Sequence, residues 1–256
     1  MIFDLDGTVY RGGVLIPGAV EAIRALRDAG MRIVFVSNNP TATAGAYSEK
    51  LTAMGVATRP AEVLTSGGVA AEWLRLHRPD ARVFVVGEES LIRELKDGGV
   101  VVVDGQEADV VLAAFDRTFD YAKWNTAFQA LLGGALFAVT NPDVTCPVAD
   151  GVVPDCAGIV AALEVSTGRS VDVLIGKPSS VIAEAALERL GLGAEAVMIV
   201  GDRVETDVET GRRAGMQTAL VLTGVTNRHD LDPTADHPTY VVDSVARLPD
   251  LLGVTL

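Results

Sequence analysis

The opening stretch of the chain constrains it more than any other. Ile2, Phe3 and Leu5 run into two carboxylates, Asp4 and Asp6, and Gly7 and Thr8 follow. A short apolar run ended by a glycine reads as a buried strand. Side chains two residues apart in a strand project to one side. Asp4 and Asp6 are therefore expected to emerge together where the strand leaves its sheet. Two like charges that close are unfavourable without a cation between them, and a divalent ion suits hard oxygen ligands. Gly7 lets the backbone turn sharply just after the pair. The same residues also fit a plain strand followed by an Asp-Gly turn. A calcium loop would need further oxygen ligands and a late glutamate, which Val9, Tyr10 and Arg11 do not supply. Because the chain begins almost inside this strand, a few further residues upstream are expected.

Beyond the first strand, apolar runs and helical stripes alternate. Pro17 to Gly30 reads as a helix with Val20, Ile23 and Leu26 on its apolar face. Arg32 to Val36, Ala44 to Met54, Val63–Leu64 and Gly67 to Leu76 follow as strand, helix, strand, helix. Such alternation implies parallel strands joined by right-handed crossovers. A second run starts near His77. Strands are expected at Arg82 to Val86, Val100 to Val103, Val110 to Phe115 and Leu136 to Val139, with helices at Glu88 to Gly98 and Tyr121 to Leu132. Val173 to Ile175 then resumes the first pattern. Helices are expected at Ser180 to Leu190, Thr206 to Gly215 and Val245 to Leu252, and strands at Ala196 to Val200, Thr218 to Val221 and Tyr240 to Val242. The expected division is a core of residues 1–76 and 173–256 with an inserted α/β segment, 77–172. Arg228 to His237 reads as a polar surface loop.

Composition narrows the partners. The net charge of -13 over 256 residues argues against nucleic acid and anionic membrane surfaces. It does not argue against a small phosphate substrate, because a metal and a few local donors set that site's field. Cys146 and Cys156 are expected as free thiols in a reducing cytoplasm. No apolar run reaches the length of a membrane span, and no basic-then-apolar leader is evident.

Four strand ends carry polar residues: Asp4 and Asp6; Ser37, Asn38 and Asn39; Lys177; and Asp202 with Asp207 soon after. Ligands bind outside the carboxyl ends of strands in open parallel sheets. Singly, each cluster has a plain structural explanation, such as a surface lysine, a helix cap or a turn. Together they form one constellation. Asp4-Leu5-Asp6-Gly7-Thr8, Ser37-Asn38-Asn39, Gly176-Lys177-Pro178 and Gly201-Asp202-Arg203-Val204-Glu205-Thr206-Asp207 resemble the four motifs of haloacid dehalogenase (HAD) superfamily phosphatases. The similarity runs over essentially the whole chain. Asn141-Pro142-Asp143 and Asp155-Cys156-Ala157-Gly158 in the insertion, and Gly224-Val225-Thr226 later, resemble subfamily IIA, the NagD-like and p-nitrophenylphosphatase-like branch. The fold implied is a doubly wound parallel α/β sheet with an inserted α/β cap.

The resemblance implies roles for these residues. Asp4 would be the nucleophile that forms an aspartyl-phosphate, and Asp6 the general acid and base. Mg2+ would be held by Asp4, the Asp6 carbonyl and Asp202, with Asp207 behind them ordering metal-bound water or Lys177. Ser37, Asn38 and Asn39 would bind the phosphoryl oxygens, and Lys177 would neutralise the reacting pair. The loop Asn141 to Asp150 would select the substrate, with Asn141, Asp143, Thr145 and Cys146 as candidates. Relatives often carry a histidine near Thr145–Cys146, and this chain has none, so their substrates do not transfer. Asp116 and Arg117 read equally as substrate contacts or a surface ion pair. His77, His229 and His237 show no ligand spacing and are expected to be solvated. The implied activity is hydrolysis of a small phosphorylated metabolite (a sugar phosphate, glycerol phosphate, phosphoglycolate or nucleotide), with p-nitrophenyl phosphate as an artificial substrate. A homodimer through the cap is among the expectations for this branch. The rivals are a phospho-acceptor signalling protein, for which the chain is about twice too long, and a phosphate-binding module without turnover, which would need no nucleophile.

Overall fold

The computed structural model describes residues 1–148, 151–231 and 238–255. His237 and the Ala149–Asp150 end of the expected substrate loop lie outside the described residues. Strand β1 (Ile2–Asp4) leads into a small hairpin, β2 (Tyr10–Arg11) and β3 (Val14–Leu15). Then come α1 (Ala19–Asp28), β4 (Val34–Ser37), α2 (Ala44–Ala53), β5 (Val63–Thr65) and α3 (Ser66–His77). The middle of the chain forms β6 (Arg82–Val86), α4 (Glu89–Asp97), β7 (Val101–Val103), β8 (Val110–Ala113), α5 (Tyr121–Leu132) and β9 (Leu136–Val139). A second hairpin, β10 (Thr145–Val148) and β11 (Gly151–Pro154), precedes α6 (Cys156–Thr167) and β12 (Val173–Leu174). The chain ends with α7 (Ser180–Leu190), β13 (Met198–Gly201), α8 (Glu209–Ala214), β14 (Gln217–Val221), β15 (Tyr240–Val242) and α9 (Leu248–Leu252).

Two compact units result. The first contains Met1–Ser37, Gly45–Leu64 and the chain from Lys177 onward; the second contains Asn38–Ala44 and Thr65–Gly176. The first is built on a sheet in the order β15-β14-β13-β1-β4-β5. β1 pairs in parallel with β4 and with β13, and β13–β14–β15 continue in parallel. The chain moves outward through β4 and β5 on one side, then through β13, β14 and β15 on the other. The order therefore reverses between β1 and β13, where the crevice of a doubly wound sheet lies. Asp4 ends β1 and Asp202 follows β13, so both flank that reversal. The strands are mostly apolar, as expected of a parallel sheet buried on both faces. Phe3 and Phe35 are fully buried with ring centroids 6.1 Å apart. Helix α1 buries Ala19, Ala22, Ile23 and Leu26, one face of a 3.6-residue period.

The second unit has its own parallel sheet, in the order β12-β9-β8-β6-β7. Its order reverses between β6 and β8. Phe84, Val86, Val111, Phe137 and Val139 form its core with Cys156 and Leu163 of α6.

Several sequence expectations need correction. Val173–Leu174 does not resume the first sheet. It pairs with β9 of the second, and the ladder continues through the Ile175 and Gly176 N–H groups to Val139 and Thr140. A half-buried apolar pair fits either sheet edge, and only long-range pairing chooses. Lys177 therefore follows a strand of the second sheet. The loop expected from Asn141 becomes a hairpin at Thr145, whose four-residue antiparallel register is set by pairing with Gly151–Pro154. Helix α6 is rich in β-branched and small residues and was not expected. The helix expected from Thr206 opens as a wider turn over Val204–Val208. The inserted segment expected at 77–172 lies within the second compact unit, which also takes in α3 and β12. Among the described residues, no helix is long and apolar enough to cross a membrane.

Candidate active site

At the β1/β13 reversal, Asp4, Asp202 and Asp207 each offer a carboxylate oxygen, and these atoms lie within 4.8 Å of one another. Lys177 stands among them. Its Nζ donates to Asp4 Oδ1 at 2.5 Å and to Asp207 Oδ1 at 2.6 Å. The Lys177 side chain is 3 % exposed. Burial opposes its charge, but the Asp207 and Asp4 carboxylates outweigh that and hold its pKa above the usual lysine value. Burial raises Asp4 well above the ordinary carboxylate range; Lys177 pulls it down, while Asp207 and Asp202 push it further up. Asp202 is pushed up to about 7 by burial and by Asp207. Among the described residues Lys177 is bonded to two of these carboxylates, and Arg203 also favours the charged form of Asp202.

Glycines make this crowding possible. Gly7, at φ +91°, and Gly224 both lie against the Asp202 carboxylate, where any Cβ would overlap it. A side chain on Gly201 would likewise overlap Asp207. Asp202 Oδ2 accepts from the Val225 N–H at 2.6 Å. Asp207 is engaged at both oxygens, by Lys177 and by the Arg203 N–H at 3.1 Å. The donor set, all hard oxygen and short of positive charge, fits a divalent cation such as Mg2+. All three carboxylates could contribute to such a site, and Asp207 also accepts from Lys177 and from the Arg203 N–H.

Asp6 has different charged neighbours from Asp4. Asp4 has Asp202 and Asp207 as its carboxylate neighbours, whereas Asp6 has Lys50 of α2 as its main charged neighbour. Burial raises the Asp6 pKa and Lys50 lowers it. Asp6 Oδ1 is buried without a hydrogen-bond partner among the described residues. Lys50 itself is half-buried, with Nζ 3.6 Å from the Tyr10 ring centroid. Sequence reasoning missed Lys50, because a lone lysine on a helix reads as a solvated face. It also missed the grip of the 223–226 loop on Asp202. The short apolar-to-glycine step at Leu222-Thr223-Gly224 was the available signal.

Ser37 ends β4 and is buried, and its hydroxyl donates to Tyr47 Oη at 3.4 Å. The other expected residues gather within the second unit. Asn38 Nδ2 donates to Asp143 Oδ2 at 2.9 Å, and Asn39 Nδ2 donates to Cys146 Sγ at 3.7 Å. Asn39 Oδ1 accepts from the Thr41 N–H and hydroxyl. Asn141 is 1 % exposed and donates to both Asp143 and Asp155. Thr145 opens β10 and is half-buried. Asp116 pairs with Lys123 at 2.6 Å, and Arg117 makes a two-pronged pair with Glu88 at 2.6 and 2.7 Å. Both cysteines are free, and burial raises the Cys156 pKa. His77 and His229 lie on the surface, His77 stacked on Trp73.

Comparison with known proteins agrees with this arrangement. The haloacid dehalogenase-like hydrolase family model matches residues 1–101, and a HAD-hydrolase-like model matches 174–248. The sugar-phosphatase AraL of Bacillus subtilis is 39% identical over 246 residues, 96% of this chain and 90% of that protein. The p-nitrophenyl phosphatase of Archaeoglobus fulgidus superposes with a TM-score of 0.92 at 37% identity, covering 98% of this chain and 97% of its own. NagD of E. coli K-12 superposes with a TM-score of 0.87 at 33% identity, covering 96% of each chain. With these matches spanning nearly the whole chain, the protein belongs to the HAD-like hydrolases, in the NagD- and p-nitrophenylphosphatase-like branch, and is a phosphatase.

Proposed function

We propose that the protein is a Mg2+-dependent phosphomonoester hydrolase that works through an aspartyl-phosphate at Asp4. The observation that carries this reading is the single lysine, Lys177, bonded to Asp4 and Asp207 beside Asp202. An Asp4 oxygen attacks phosphorus, and the bond to the leaving oxygen breaks as Asp6 hands that oxygen its proton. Asp6, now ionised, takes a proton from water, whose oxygen attacks phosphorus and releases Asp4 and inorganic phosphate. Burial favours the protonated form of Asp6, which suits the first step. Lys177 offsets charge on Asp4 and on the phosphoryl group, and Ser37 with the Asn38–Asn39 segment binds the phosphoryl oxygens. Asp4, Asp202 and the Asp6 carbonyl would hold the metal, which supplies charge neutralisation at the phosphoryl group.

The substrate is a small phosphorylated metabolite: a sugar phosphate, glycerol phosphate, phosphoglycolate or nucleotide. Segment 77–172 acts as the cap, with Thr145 and Cys146 among the residues that select it. The protein works in the cytoplasm, without nucleic acid or membrane, as a homodimer through the cap. The test is phosphate release from a panel of phosphorylated metabolites and p-nitrophenyl phosphate, with Mg2+ or chelator, for wild type and Asp4→Asn. Release that needs Mg2+ and vanishes in Asp4→Asn is expected. Activity that survives in Asp4→Asn would remove the aspartyl-phosphate route.

A further inference from the structure

The motif segment after β4 does not belong to the sheet it leaves. Asn38–Ala44 groups with the second unit, and polar contacts there hold it. Asn38 Nδ2 donates to Asp143 Oδ2, and the Asn38 carbonyl accepts from the Ser66 hydroxyl at 2.6 Å. Asn39 reaches Cys146, and the Ala44 N–H is bonded by Glu94. Asp143 is the centre of this arrangement. Its Oδ2 also accepts from Asn141 Nδ2 at 3.0 Å, and its carbonyl accepts from the Ala157 N–H in the first turn of α6. Asn141 in turn donates to Asp155 Oδ1, the N-cap of α6, and its own Oδ1 accepts from the Thr140 hydroxyl at 2.8 Å. Thr140, Asn141 and Ser66 are at most 1 % exposed. Buried networks of this kind lock geometry when fully satisfied.

The same network reaches the other motif. The Gly176 N–H donates to the Thr140 carbonyl at 2.8 Å, and a Cβ on Gly176 would overlap that carbonyl and Asn38 Oδ1. Asn38 follows Ser37 by one peptide bond, and Gly176 precedes Lys177 by one. Within the second unit, one polar cluster thus holds both Asn38, the residue after Ser37 in the chain, and Gly176, the residue before Lys177.

We propose that Asp143 is a positioning residue for phosphate binding, acting through Asn38, rather than a selector of the substrate's leaving group. This rests on the hydrolase reading above. A residue that selects the leaving group alters substrates unequally. A residue that sets the phosphate-binding segment alters all of them equally, and alters inorganic phosphate too.

The test compares wild type, Asn38→Ala, Asp143→Ala, the double variant and Asp143→Asn. For each, KM and kcat are measured over substrates with different leaving groups, and inorganic phosphate binding is measured by calorimetry in Mg2+. Asp143→Ala and Asn38→Ala should each raise every KM, and the dissociation constant of inorganic phosphate, by one common factor of about tenfold, the loss of a partly buried bond to a carboxylate. The double variant should be no worse than the singles. Asp143→Asn keeps an acceptor oxygen and should restore most of the loss. If Asp143→Ala does not fold, Asn38→Ala and Asp143→Asn carry the comparison. Effects confined to some substrates, multiplied losses in the double variant, or phosphate binding unchanged would each overturn the proposal. Failure of the hydrolase reading shows separately, as wild type that binds inorganic phosphate with Asn38-dependent affinity yet releases none from any ester.

Discussion

Both units are doubly wound parallel sheets, and each has a strand-order reversal with charged residues just past the strand ends. At the β6/β8 reversal of the second unit the charges balance. Asp116 is paired with Lys123, which also meets the Gly87 carbonyl and the Thr118 hydroxyl. Glu88 is paired with Arg117, which holds it below the usual carboxylate range. At the β1/β13 reversal three carboxylates share one lysine. Topology alone therefore does not mark a catalytic edge. Uncompensated buried charge does, because it is costly to keep unless a ligand completes it.

This contrast can be broken at either edge. Lys177→Met removes the cation bonded to both Asp4 and Asp207, and should lower kcat by about 10³-fold, as loss of a preorganised electrostatic group does. It is read by steady-state kinetics on p-nitrophenyl phosphate. Asp116→Ala should leave kcat near wild type but destabilise the protein by about 3 kcal/mol, since Lys123 loses its buried partner. Denaturant unfolding measures that loss, and an unchanged midpoint would mean that the second edge is as loosely built as a surface pair. Mg2+ should stabilise the first edge only. At roughly 100 times its dissociation constant it should add about 2.7 kcal/mol, seen as a rise in Tm that chelator reverses. Asp202→Asn should abolish that rise, and Asp116→Ala should keep it.

The smallest effect concerns one carboxylate in the second unit that breaks its balance. Glu94 Oε2 is buried without a hydrogen-bond partner among the described residues, and burial pushes the Glu94 pKa up to about 7, against bonds from Thr65 and Ala44 that lower it. A carboxyl raised on folding binds more protons folded than unfolded. Its contribution is complete below the unfolded value near 4.5 and is lost as pH rises through about 7. Glu94→Gln should therefore flatten the fall in stability between pH 5 and pH 8, measured by denaturant midpoints at each pH. A slope identical to wild type would mean that Glu94 stays ionised in the folded protein.

The first strand, its carboxylates, Lys177, and the paired acids Asp202 and Asp207 were legible because local chemistry marks them. Apolar runs define strands, and glycines permit the close approaches at Gly7 and Gly201. The helices with clear apolar stripes, such as Ser180–Leu190 and Tyr121–Leu132, were read to the residue. Other features were not local. Val173–Leu174 could join either sheet, and pairing with β9 decided it. The β10–β11 region carries an Asp150-Gly151 pair, which is a hairpin signal, but the flanking runs each hold a proline and show no clear apolar alternation. Asp4 and Asp6 share a spacing that predicted one shared cation, yet the turn after β1 gives them different neighbours. The candidate site residues were thus visible in the sequence as residue types at strand ends, and the structure brings Asp4, Lys177, Asp202 and Asp207 together. Their partners, Lys177 with Asp207, Asp6 with Lys50 and Asn38 with Asp143, were decided by the tertiary structure, because these contacts join residues 30, 44 and 105 positions apart, and nothing along a chain encodes which distant side chain will close over which.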